Sequence, residues 1–115
     1  MLKIQAPESK LKGIFLTHAH IGHYTGLMYF GREALGSKNL LVKVLPKMSN
    51  FLKTNGPWSQ LVTLNNIQIQ NIKFDKSNSE LSNVDVTPVQ VPHRDEFSET
   101  AGYIIAGKNK KAVFI

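Results

Sequence analysis

Gly13-Ile14-Phe15-Leu16-Thr17-His18-Ala19-His20-Ile21-Gly22-His23-Tyr24-Thr25-Gly26-Leu27 runs from a short apolar stretch into three histidines set within six residues. Residues 12–17 read as a buried strand. Residues i and i+2 of an extended segment project to the same side, so His18 and His20 can converge on one ion. His23, at the first turn of the segment that follows, can approach from the side. The positive end of a helix dipole disfavours imidazolium there and favours the neutral ring, which is the form that binds metal. A strand ending in a loop that opens a helix is also where α/β folds place their chemistry. A single histidine of this kind is more often a surface or hydrogen-bonded core residue; three at this spacing point to metal.

Working outward, residues 23–35 change period. Tyr24, Leu27, Met28, Gly31 and Leu35 fall three to four apart, which predicts a helix with one apolar face, closed by Gly36-Ser37. Residues 40–45 are a second apolar run, ended by Pro46, which is well placed to start a helix over residues 46–53. Asn55-Gly56-Pro57-Trp58 is turn chemistry. Beyond it the pattern reads as β: a strand over residues 61–64, then Ile67, Ile69 and Ile72 alternating with polar residues. Val84, Val86, Val89 and Val91 lie on a further strand whose change of face at Pro88 suggests a bulge or an edge. Residues 101–106 and 111–115 read as a hairpin joined through Gly107-Lys108-Asn109-Lys110. The fold class is mixed α/β: a strand–loop–helix metal motif followed by mixed β-sheet strands.

Composition bounds the rest. The 115 residues make one domain at most, and 42% hydrophobic with 19% charged residues is the balance of a globular chain. No apolar run is long enough to span a bilayer, and residues 1–8 lack the core of a signal peptide. With no cysteine there is no disulfide, thiolate ligand or thiol nucleophile. That suits a reducing cytoplasm and conflicts with no other compartment. The net charge of +6 invites polyanions, but the basic residues are scattered, Lys108, Lys110 and Lys111 being the densest group, so nucleic acid is not the expected partner. Residues 111–115 end on an apolar strand with no polar tail. The chain is therefore expected to be one partial domain of a longer protein, self-associating when isolated through that strand or the apolar face of 23–35.

The stretch from Gly13 to Leu27 resembles the strand, HxHxDH loop and helix of metallo-β-lactamase-fold hydrolases. Within that superfamily it is most similar to the branch around the pyrroloquinoline quinone biosynthesis protein B. Val91-Pro92-His93-Arg94-Asp95-Glu96-Phe97-Ser98-Glu99-Thr100-Ala101-Gly102-Tyr103-Ile104-Ile105 supports the likeness, because in the family a further ligand histidine stands just before a strand of this Gly-Tyr type. The resemblance covers residues 12–35 well, 88–115 fairly, and the middle only in general terms. It implies part of an αββα sandwich and a first metal site of His18, His20 and His93, suited to one zinc ion with water as fourth ligand. His23 would be the histidine of a second site.

The sequence also departs from the pattern. The family's aspartate inside the loop is Gly22 here, and glycine can neither ligate nor orient a water, so His23 loses its acidic companion. One of Asp95, Glu96 and Glu99 could supply an acidic group near His93, but the three read first as solvated loop charges, Arg94 as a surface ion-pair partner, and Trp58 as a packing anchor ahead of a substrate wall. The resemblance thus implies a metal-dependent hydrolase acting on a small molecule that the sequence does not name. The alternative is a metal- or ligand-binding relative impaired by Gly22. An RNA-processing nuclease ranks third.

Overall fold

The computed structural model describes residues 11–79 and 83–115; residues 1–8, read above for a signal peptide, lie outside the described residues. Three strands make a parallel sheet in the order β1 (Ile14–Phe15), β2 (Leu40–Val44), β3 (Ile67–Asn71). A second, antiparallel sheet follows in chain order: β4 (Asp85–Gln90), β5 (Ala101–Ala106), β6 (Lys111–Phe114). Helices α1 (Pro46–Thr54) and α2 (Trp58–Thr63) connect β2 to β3. The expected mixed α/β architecture is therefore present, with parallel and antiparallel pairing kept in separate sheets.

The central strand β2 decides the layering. Val42 and Val44 face a helical layer containing Met48, Leu52 and Leu61, together with Leu16, Tyr24 and Leu27. On the opposite side, Phe15, Leu45 and Ile72 meet Ala101 and Tyr103 of β5, with Phe74 and Val86 alongside. A parallel strand covered on both faces reads as a continuous apolar run, as residues 40–45 do. Lys43 interrupts the run yet is wholly buried, its Nζ lying 5.8 Å from the centre of the Phe15 ring.

Two elements differ from the sequence reading. Residues 23–35 do not form an α-helix; a 3₁₀ helix spans Thr25–Phe30 and turns follow it. A three-residue repeat puts Tyr24, Leu27 and Phe30 on the inner side and leaves Met28 and Tyr29 exposed. Gly26 and Gly31 weaken any longer helix, Tyr24 supplies no side-chain cap, and no acidic residue stands in the first turn. Of residues 61–64, expected as a strand, the first three belong to α2 and Leu64 is its C-cap. Trp58, Leu61 and Val62 stand at i, i+3 and i+4 and turn together onto the helical layer, a spacing that outweighs the short apolar run.

β1 is also shorter than residues 12–17. Beyond Phe15 only the Leu16 amide still bonds to β2, at 3.3 Å from the Lys43 carbonyl. The carbonyls of Leu16 and Thr17 turn instead to Tyr103 and Ala101 of the second sheet. At Pro88 there is no bulge, since the β4–β5 register runs unbroken from Asp85↔Ala106 to Gln90↔Ala101. β4 is an edge strand, as expected, and the Pro88 carbonyl points outward to the Asp75 amide at 2.7 Å. The missing proline N–H is therefore on the side away from β5. The hairpin β5–β6 forms as read, with every residue of β6 exposed. Among the described residues no helix is long and apolar enough to cross a membrane.

Candidate metal centre

The loop after β1 is held by the second sheet. Ala101 N–H donates to the Thr17 carbonyl at 3.0 Å, and the Tyr103 hydroxyl donates to the Leu16 carbonyl. Ala19 N–H donates to Ser98 Oγ at 2.8 Å in a buried contact, and that hydroxyl donates to the Glu99 carbonyl at 2.9 Å. These bonds join segments about eighty residues apart, so the loop's geometry is tertiary in origin.

Three histidines meet on this frame. His18 is buried, and its Nδ1 lies 2.9 Å from Thr17 Oγ1. Its Nε2 is buried with no hydrogen-bond partner, an anomaly for so polar an atom. Burial, followed by the positive potential of His23, His93 and His20, lowers the His18 pKa to about 4, with Asp95 opposing. The ring is therefore neutral at pH 7. His20 presents Nδ1 to His93 Nε2 at 3.2 Å and Nε2 to Glu96 Oε1 at 2.9 Å. The rings of His18, His20 and His93 stand edge to face, 4.6–5.1 Å apart at their centres. One ligand atom from each of the three lies within 4.8 Å of the others.

This donor set fits a small, nitrogen-loving ion. Two ligands of a tetrahedral site with metal–nitrogen bonds near 2.0–2.1 Å stand about 3.3 Å apart. The 3.2 Å between His20 Nδ1 and His93 Nε2 already has that spacing. The unpartnered His18 Nε2 could serve as the third donor, with Nδ1 of the same ring in contact with Thr17.

His23 is not among the three whose ligand atoms converge, although its ring is the one nearest to that of His18. It is exposed and its ring lies 4.3 Å from that of His18, tilted by 35°. The 3₁₀ helix begins only at Thr25 and runs six residues, so His23 does not sit in the first turn of an α-helix as the sequence suggests. Gly22 adopts φ +97, in the region that side chains rarely enter.

The acidic residues are not simple solvated charges. Glu96 bonds His20, and Asp95 Oδ1 accepts from Thr100 Oγ1 at 2.7 Å. Glu99 caps α1, both carboxylate oxygens 3.0 Å from the Lys47 amide and Oε1 3.3 Å from that of Met48. Sequence reasoning missed Thr17 and Ser98 as parts of the centre, and offered only an unspecified place near His93 for Glu96 and Glu99. The partners of the last three lie 52–79 residues away, out of reach of any local pattern. Trp58 is the expected anchor, edge-on to Tyr24 at 5.0 Å. Beside His20 opens a cavity of about 400 Å³ lined by Ile21, Tyr24, Phe51, Arg94 and Phe97.

Comparison with known proteins agrees with this picture. The family model for the beta-lactamase superfamily domain matches residues 2–115. No curated protein matches the chain. Among solved structures, it is similar to zinc-bound PqqB from Methylobacterium extorquens, with a TM-score of 0.70 at 16% identity over 88% of this chain. At that identity the likeness is one of fold, and this chain spans 37% of the length of that protein.

Proposed function

The chain belongs to the beta-lactamase superfamily, and from that membership we propose that it is a metal-dependent hydrolase whose single zinc ion is held by His18, His20 and His93. One observation carries the reading. A ring nitrogen of His18 lies within 4.8 Å of one from each of His20 and His93, the last two already spaced like two corners of a tetrahedral site, and the buried His18 Nε2 has no hydrogen-bond partner. The solved neighbour was obtained with zinc bound, which favours that metal.

Zinc held in this way would supply a Lewis acid and bring the pKa of water down to about 7, making a nucleophile at neutral pH. The chain's own residues prepare for it. Burial keeps His18 free of its extra proton at neutral pH, and where Thr17 Oγ1 accepts from Nδ1–H the Nε2 lone pair is left available. The cavity beside His20 is walled by Ile21, Tyr24, Phe51 and Phe97, with Arg94 at its rim, and would take a small molecule with an apolar body.

A second reading is favoured by Gly22. With no carboxylate at that position, His23 lacks an acidic companion, and the protein would bind metal or ligand with little turnover. Two measurements separate the readings. Calorimetric titration of metal-free protein should show one zinc equivalent, lost in His18→Ala; no uptake by the wild type would sink the zinc hydrolase and leave only ligand binding. A panel of esters and phosphodiesters then decides between them. Zinc-dependent turnover supports the hydrolase, and uptake without turnover supports the impaired relative.

A further inference from the structure

We propose that Glu96 is a positioning residue for the metal centre: it fixes the proton of His20 on Nε2, so that Nδ1 is the nitrogen offered to the ion. The inference rests on the metal-binding reading above and adds to it a residue that the family likeness does not mark.

The geometry is specific at both ends of the ring. His20 Nε2 lies 2.9 Å from Glu96 Oε1, and the opposite nitrogen, Nδ1, lies 3.2 Å from His93 Nε2. A carboxylate only accepts, so the nitrogen facing it carries the hydrogen. Neutral imidazole has one N–H, and the lone pair is thereby assigned to Nδ1, on the side where the three histidines converge. Without an acceptor at Nε2, water would solvate either nitrogen and both tautomers would be populated.

As a stability device this pair has little to offer. The Glu96 side chain is 53% exposed, and a contact so open to water contributes little to stability. Its value lies in direction, and the chain braces the segment that carries it. Asp95 is tied to Thr100, Ser98 to the Ala19 amide, and Glu99 to the first turn of α1. Glu96 thus projects from a stretch anchored on either side of it. A carboxylate on the outer nitrogen of a ligand histidine also raises the basicity of the inner one, and removing such a partner typically weakens metal affinity about tenfold to a hundredfold.

The test uses wild type, Glu96→Gln and Glu96→Ala, with two readouts. The first is zinc affinity by chelator competition. The second is the His20 tautomer in metal-free protein, from long-range ¹H–¹⁵N correlations of the ring. Glu96→Ala should bind zinc about tenfold to a hundredfold more weakly and show a mixed tautomer. Glu96→Gln, whose amide oxygen still accepts, should recover the Nε2–H tautomer and most of the affinity. A residue serving only to hold the loop would not show this split between the two variants. If Glu96→Ala keeps the wild-type tautomer and binds zinc within twofold of wild type, the proposal is wrong. If wild type takes up no zinc yet loses its tautomer preference in Glu96→Ala, the metal reading fails and the assignment of Glu96 stands.

Discussion

Tyr103→Phe removes one oxygen from the joint between the two sheets. Tyr103 is 3% exposed, and its hydroxyl donates across 87 residues of sequence to the Leu16 carbonyl. The ring also meets Phe15 edge-on at 5.3 Å, a contact that phenylalanine keeps. The substitution therefore leaves packing nearly intact and strands a buried carbonyl. A buried acceptor deprived of its partner costs about 1–3 kcal/mol. In a domain of this size each kcal/mol shifts Tm by about 4 °C, so the midpoint should fall by about 4–12 °C. Urea unfolding should give the same loss with an unchanged m-value. Burial also raises the Tyr103 pKa above its ordinary value. The unfolded state then releases this proton from about pH 10 upward while the folded state retains it. The stability advantage of wild type should be complete below pH 10 and shrink above it. A variant as stable as wild type to within about 0.3 kcal/mol, a margin at which independent effects cease to be resolved, would refute the reasoning, since the Leu16 carbonyl would then have another donor.

Glu99→Ala uncaps α1 from a distance and should lower stability by about 1–2 kcal/mol, with Glu99→Gln losing less, as read by chemical denaturation. Gly22→Ala places a side chain at φ +97 where space is open but the backbone is not; a loss of about 1–3 kcal/mol is expected in thermal melts, and no loss would contradict the assigned conformation. Gly22→Asp should carry the same strain, so restoring the family's acidic residue should not restore a second metal site, a point that zinc stoichiometry checks. In metal-free protein the lowered pKa of His18 has a definite sign: below about 6.5 the unfolded chain takes up a proton that the folded one refuses until about pH 4. Denaturation midpoints should therefore be flat in this respect above pH 6.5 and fall between 6.5 and 4.

The parts of this fold that could be read from sequence are those governed by neighbours. The run at residues 40–45, Pro46 at a helix start and the Gly107–Lys110 turn each carry their own instruction, and β2, α1 and the β5–β6 hairpin follow from them. The pair His18 and His20 was likewise visible from a spacing of two. The 3₁₀ helix was misread because Tyr24, Leu27 and Met28 satisfy an α period. Only burial, which takes Phe30 and rejects Met28, shows the period to be three. α2 was misread because Leu61-Val62 looks like a strand until Trp58 is counted with it. Proximity to His93 brings Glu96 and Glu99 into view, but the partners of Glu96, Ser98 and Glu99 have no local sign, since each acts on a residue in another part of the chain. His93 was legible only beside the first motif.

The three histidines also divide between the two sheets. His18 and His20 follow β1 of the parallel sheet, while His93 stands between β4 and β5 of the antiparallel one. An ion shared among them would close a circuit of 73 residues and act on the chain as a cross-link that chelators can open. Its binding energy would then be felt as cohesion between layers, about 2.7 kcal/mol when free metal exceeds Kd a hundredfold. By the same coupling, substitutions in the interlayer core at Tyr103 or Ser98 would register as changes in metal affinity, without touching a ligand.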